Sequence, residues 1–152
     1  MKIENFNLQH YHEVLELWKK AGIAIGSSDS IEETALILER NPDLFLVGKE
    51  QEKIIAVVIG AFDGRRGYVH HLAVDPDYQR KGYGKAIMNE LTERFKQKRI
   101  QKIHLFIQKE NKKVLDFYNK QGWEVRDDII MMSFVPDNTL YKRSIKHKKK
   151  RS

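Results

Sequence analysis

The sequence predicts an α/β (α+β) domain, a mixed, mostly antiparallel sheet of about seven strands with helices on both faces. Three observations predict it. Short apolar runs of strand length alternate with segments whose apolar residues recur at helical spacing. The order they give is β-α-α-β-β-β-α-β-α-β-β, which sends helices to both sides of a sheet. One helical crossover joins the runs 68–74 and 103–107, so those two strands are parallel.

Residues 2–6 form a first short strand. Asn7 can cap a helix whose apolar face is Tyr11, Val14, Leu15, Trp18 and Ala21, and Gly22 suits its C-terminal stop. A polar loop, Gly26-Ser27-Ser28-Asp29, follows. Ser30 and Glu33 then have capping-box spacing for a second helix carrying Ile31, Ala35 and Leu38, which Asn41-Pro42 ends. Runs 44–47 and 54–62 read as a hairpin, and 63–67 is a tight connection to strand 68–74. Ile87, Leu91 and Phe95 give the next helix its core face. After strand 103–107, Asn111 starts a short helix with Val114, Leu115 and Tyr118, ended by Gly122. Segments 123–126 and 129–135 supply two last strands.

At 152 residues the chain suits one domain, here 1–137, followed by a basic tail, 138–152, expected to be solvated and disordered. Residues 142–152 carry Lys142, Arg143, Lys146, Lys148, Lys149, Lys150 and Arg151 and no acid, which equals the whole net charge of +7. The body is therefore near neutral, and contact with nucleic acid is expected only through the tail. No apolar run is long enough to span a membrane, and residues 1–5 have no signal-peptide core. There is no cysteine, which excludes disulfides and thiol catalysis and fits a cytoplasmic protein. No metal site is expected: His10 and His12 do not share a helix face, and adjacent His70 and His71 diverge on a strand.

The most informative stretch is 74–86, Val-Asp-Pro-Asp-Tyr-Gln-Arg-Lys-Gly-Tyr-Gly-Lys-Ala. It carries a strand into a helix through a basic loop with two glycines. A helix start has amides without intrahelical acceptors and a favourable dipole, so it can hold phosphate. The loop is not a Walker A loop, because Ala86 stands where Ser or Thr is needed and the glycine spacing fails. It is not a dinucleotide fingerprint either, because Ile87 stands at the third glycine position. Gln79-x-x-Gly82-x-Gly84 after a Val-x-Pro strand exit resembles the acyl-CoA pyrophosphate loop of the GNAT superfamily of N-acetyltransferases. Asn111-x-x-Val114-x-x-Phe117-Tyr118-x-x-x-Gly122-Trp123 looks like the last motif of that family, and the element order matches over about residues 2–135.

The resemblance implies transfer of an acetyl group from acetyl-CoA to a primary amine of a small molecule or protein by direct attack, in a monomer or homodimer. It assigns the pyrophosphate to Gln79, Arg80, Lys81, Gly82, Tyr83, Gly84 and Lys85. It assigns the pantetheine arm to the strand end Leu72-Ala73-Val74, with Asn111 as an orienting residue or a plain helix cap. Tyr118 matches the general acid toward the coenzyme thiolate. Family members often use a strand glutamate as base, and 68–74 holds no carboxylate; His70 and His71 are the candidates there. Strand parity groups His70 with Leu72 and Val74, and His71 with Val69 and Ala73. By family analogy the acceptor pocket lies between loop 22–30 and a last hairpin near Asp127 and Asp128. Asp29, Glu32, Glu33, Asp127 and Asp128 could attract a cationic amine, or serve as surface charges and caps. The missing carboxylate keeps open an acyl-CoA-binding protein without efficient catalysis; the tail keeps open a nucleic-acid-associated protein.

Overall fold

The computed structural model describes residues 1–145. Five strands form one sheet in the order β1 (Lys2–Asn5), β2 (Phe45–Glu50), β3 (Lys53–Phe62), β4 (Gly67–Val74) and β5 (Ile103–Leu105). The first three pairings are antiparallel and β4–β5 is parallel. Four helices complete the domain: α1 (Tyr11–Lys20), α2 (Ile31–Arg40), α3 (Tyr83–Gln97) and α4 (Lys112–Lys120).

Local chemistry explains the joints. Asn7 caps a 3-10 turn, Leu8–His10, by accepting from the Gln9 amide at 2.9 Å, and α1 continues from that turn. Gly22, at φ +83°, turns the chain out of α1 in the left-handed region that L residues avoid. Ser30 accepts from the Glu33 amide at 3.2 Å to start α2. Gln51 and Glu52, both at positive φ, make the two-residue hairpin turn between β2 and β3.

Each sheet face is buried by its own helices. Val14, Leu17 and Trp18 of α1 pack with Phe45, Val47 and Val57, joined by Ile37 and Leu38 of α2. On the other face Ile87, Met88, Leu91 and Phe95 of α3 pack with Leu46, Val58 and Val69, joined by Tyr118 of α4. Burial on both faces explains why β3 reads as an unbroken apolar run rather than an alternating one.

Three expectations are corrected. Segments 123–126 and 129–135 form no strand, so the sheet has five strands rather than seven and no last hairpin stands near Asp127. An apolar run records a tendency to pair, while a strand needs an available edge, which a sequence does not show. β5 stops at Leu105 instead of Ile107. The parity expected along β4 also fails. Val69 joins the α3 face and Ala73 the α1 face, because the ladder with β3 slips between Val57 and Ile59 opposite His71, at φ +51°. One extra residue in a strand reverses the faces beyond it. The basic residues 146–152 lie outside the described residues.

Candidate active site

β4 and β5 pair only from Gly67–Ile103 to Val69–Leu105. Beyond that point the two parallel strands separate, and a cleft of about 800 Å³ opens between them. That volume suits an extended organic ligand. Leu72 and Val74 of β4 line one wall; Phe106 and Ile107, past the end of β5, line the other. Ala73 points away into the α1-side core and is 3 % exposed, so only its backbone could meet a ligand.

The loop after β4 closes one end of the cleft. Asp75 is buried and fastens the loop to the rest of the molecule. Its carboxylate bonds the Asp77 amide at 2.9 Å and the Lys20 ammonium at 2.8 Å, with Lys53 at 3.6 Å. Burial alone would raise the Asp75 carboxyl, but the Lys20 bond and the Asp77 amide outweigh it and hold it below its ordinary value. The Gln79 side chain donates to the Val74 carbonyl at 3.1 Å, tying the loop back onto the strand. Gly82, at φ +79°, then turns the chain into α3. The Ala86 amide is bonded to the Gly82 carbonyl at 3.0 Å, so the amides of Tyr83, Gly84 and Lys85 precede the helix ladder and have no acceptor within it. Gln79, Arg80, Gly82, Tyr83, Gly84 and Lys85 all line the cleft. Lys81 does not; its ammonium stands 5.4 Å from the Tyr78 ring centre.

α4 supplies the next wall. Asn111 caps it, accepting from the Val114 amide at 3.4 Å, and also borders the cleft. Tyr118 is 5 % exposed and held edge-on between Phe117 at 5.1 Å and Trp123 at 5.6 Å, and it lines the cleft. Burial pushes its phenol well above its ordinary value. Burial thus favours the protonated phenol, which has a hydrogen to donate.

The bulge at His71 has a chemical consequence. Strict alternation would point the two histidines apart, yet both line the cleft. The His71 Nε2 lies 2.7 Å from Asp29 Oδ1. Asp29 is itself buried and anchored: its second carboxylate oxygen accepts from the Gly26 amide at 2.9 Å, and its carbonyl accepts from the Tyr11 hydroxyl at 2.6 Å. Burial tends to raise the Asp29 carboxyl, but the bonds to His71 and Gly26 outweigh it and hold it low. An ionised carboxylate accepts only, so Nε2 carries the hydrogen, and in the neutral form of the ring the lone pair is on Nδ1. Trp18 packs edge-on against the same ring at 5.2 Å. His70 stacks on Tyr68; burial, then the neighbouring His71, lowers its pKa and so favours the neutral ring.

Asp29 was legible as an acid in an acceptor loop, but its pairing with His71 spans 42 positions and leaves no local signal. Ser144 at the cleft mouth was not foreseen at all. It arrives because Ile145 pairs with Ile25 and the Lys142 amide bonds Ser27 Oγ at 2.8 Å. Glu32 and Glu33 sit in the first turn of α2, and Asp128 pairs with Arg126 at 2.8 Å on the surface; none of these lines the cleft. Among the described residues, no group of three potential metal ligands comes together, and no helix is long and apolar enough to cross a membrane.

Comparison with known proteins gives a consistent picture. Residues 11–123 match the model of the family described as Acetyltransferase (GNAT) family. The chain is 30 % identical over 131 residues to the acetyltransferase ECA0875 of Pectobacterium atrosepticum, covering 86 % of this chain and 93 % of that protein. It is 28 % identical over 132 residues to the acetyltransferase SG1711 of Sodalis glossinidius, covering 87 % and 93 %. Its fold is similar to that of the PaiA N-acetyltransferase of Thermoplasma acidophilum, solved in complex with coenzyme A. There the TM-score is 0.75 at 21 % identity, over 85 % of this chain and 94 % of that one. Ard1 of Thermoplasma volcanium superposes with a TM-score of 0.76 at 17 % identity, over 82 % and 83 %.

Proposed function

The chain belongs to the GNAT acetyltransferase family, and from that premise we propose that it transfers the acetyl group of acetyl-CoA to a primary amine by direct attack. One observation carries the reading: a strand pair that separates beside a glycine-capped helix start, with Tyr118 and a carboxylate-held histidine on the same cleft. The free amides at the start of α3, with Arg80 and Lys85, suit the coenzyme pyrophosphate. The unpaired end of β4 offers its backbone to the pantetheine amides as an edge strand would.

In this scheme the amine approaches from the side of residues 22–24 and Ser144. A lysine-like amine has a pKa of about 10.4 and must lose a proton before it can attack. His71 Nδ1 accepts that proton, directly or through water, while Asp29 holds the ring and its tautomer. The nitrogen lone pair then adds to the thioester carbonyl and the C–N bond forms; as the C–S bond breaks, the sulfur takes a hydrogen bond and then a proton from the Tyr118 hydroxyl, the proton still on the nitrogen leaves to water as the amide forms, and the phenolate regains its proton from solvent. Asp29 is thus a positioning residue, and His71, rather than His70, is the base.

The reading is tested by incubating the chain with acetyl-CoA and a panel of primary amines and following free CoA. Release that depends on one class of amine supports it. Thermal stabilisation by acetyl-CoA with no amine-dependent release would instead favour a protein that binds acyl-CoA without turnover. Asp29→Asn should lower kcat by about 10²-fold with little change in thermal stabilisation by acetyl-CoA. The Gly26 amide fixes the asparagine oxygen on its own side. The new NH₂ then faces His71 Nε2, and the ring proton is driven onto Nδ1, where a base is needed. An unchanged kcat would remove Asp29 from the scheme.

A further inference from the structure

The fixed charges along the cleft are all of one sign. Arg80 and Lys85 line it at the start of α3 and Lys113 in the first turn of α4, and among the described residues no aspartate or glutamate lines it. Asp29 stands behind His71, with its carboxylate already taken by that ring and by the Gly26 amide. An acceptor with several ammonium groups would meet no carboxylate along these walls, and like charges at short range repel.

A second chamber, of about 640 Å³, continues the cleft on the acceptor side. The two share Ala24, Gln108, Asn111 and Ser144. Glu110, Tyr141 and Arg143 complete its walls. Glu110 directly precedes Asn111, the cap of α4, and a carboxylate there is favoured by the dipole of the helix start. Arg143 has no comparable partner: among the described residues it enters no ion pair. Its backbone is fixed on both sides. The Lys142 amide donates to Ser27 Oγ at 2.8 Å, and Ile145 and Ile25 exchange both amide–carbonyl bonds, at 2.8 and 2.9 Å. The approach is close enough that a Cβ at Gly26 would stand 2.6 Å from Ser144 Oγ and 3.1 Å from the Lys142 carbonyl oxygen.

On the footing of the proposed transfer, we infer that the acceptor is a primary amine that also carries a carboxylate, an amino acid or a short peptide, whose carboxylate is held by Arg143 in the second chamber. The guanidinium is charged at any working pH and presents a planar fork that a carboxylate can accept in two bonds. The Tyr141 hydroxyl and the Gln108 amide, on the same walls, are further donors of the kind a carboxylate takes. One guanidinium balances one carboxylate. A phosphate dianion would leave charge over, with Glu110 in the same chamber to oppose it. The reacting amine then reaches from the chamber into the cleft past Ala24 and Ser144, toward His71.

The test pairs each free acid with its own carboxamide. Straight-chain amino acids from glycine upward in length are assayed beside their amides, with spermidine as the polycation, and free CoA is followed. An amide leaves the amine less basic than the free acid does, so a site blind to the carboxylate would favour the amides. The expected result is the reverse: kcat/KM higher for the acids, and lowest for spermidine. Arg143→Ala should raise KM for the acids by about 10- to 100-fold, the worth of a hydrogen-bonded charge pair, and move KM for the amides by less than about twofold. Arg143→Lys should restore part of the loss, since it keeps the charge without the fork. Arg143 is exposed, so these variants should melt as the wild type does. Calorimetric titration of the CoA-bound chain reads the same contact without turnover. The acids should bind and the amides should not, and Arg143→Ala should abolish the difference. Acid-specific binding without CoA release would sink the transfer reading and leave this contact standing. Release with amides or spermidine served as well as the acids, a preference indifferent to Arg143→Ala, or no acid-specific binding would each overturn the inference.

Discussion

Replacing Tyr118 with phenylalanine should lower kcat by about 10²-fold and leave KM for acetyl-CoA within about twofold, because the hydroxyl acts on charge that develops only as the thioester breaks. The variant is a clean one. Tyr118 is held by its ring, edge-on to Phe117 and Trp123, and phenylalanine keeps both contacts. The burial that raises the phenol also means that the wild-type enzyme shows no loss of activity from phenol ionisation up to about pH 10, its ordinary value. A raised phenol is a reluctant proton donor in the ground state. In the proposed scheme its contribution is therefore a hydrogen bond that strengthens as the sulfur becomes a thiolate, with the proton following. Steady-state kinetics at saturating amine, with unfolding followed in parallel, measures the effect. A kcat equal to wild type would make Tyr118 a packing residue and shift the burden of the leaving group elsewhere.

Gly82→Trp should abolish the thermal stabilisation that acetyl-CoA gives the wild-type chain. A ligand at 100 times its Kd stabilises a protein by about 2.7 kcal/mol, and the variant should show none of it. Apart from its own chain neighbours, nothing lies within 4 Å of where a Cβ at Gly82 would stand, so a side chain can start there and an indole would extend over the helix start. The φ of +79° adds a backbone cost of about 1–2 kcal/mol for any L residue. Gly82→Ala separates the two causes, since it carries the same strain without the bulk. It should melt lower than wild type yet keep most of the coenzyme shift. If the tryptophan variant still responds to acetyl-CoA as the wild type does, the pyrophosphate does not sit on this loop.

The two substitutions probe the parts of the site that were readable along the chain. Gln79 to Gly84 and Asn111 to Trp123 are contiguous, and a loop that starts a helix carries its chemistry in its own backbone. The proposed base was not readable. The parity rule that divides His70 from His71 holds for a regular ladder, and the slip opposite Val58 breaks it. A bulge depends on how β3 and β4 register, which no residue in 68–74 announces. Asp29 belongs to the same class of unreadable facts, being a loop acid until the fold brings it to His71. The expected sixth and seventh strands failed for a related reason. Their composition was right, but pairing is a property of two segments, and the described chain supplies only one.

By itself, then, the sequence determined the element order as far as α4, the two-sided sheet, the glycine loop that starts α3 and the aromatic residue on the last helix. These follow from periodicity, caps and short-range motifs, where the interacting residues are neighbours along the chain. The tertiary structure decided which histidine has an orienting carboxylate, where β4 leaves β5 to open the cleft, and which apolar strand was left without an edge. Each of these joins residues tens of positions apart, and the free energy that selects them comes from packing and pairing that exist only once the sheet has formed.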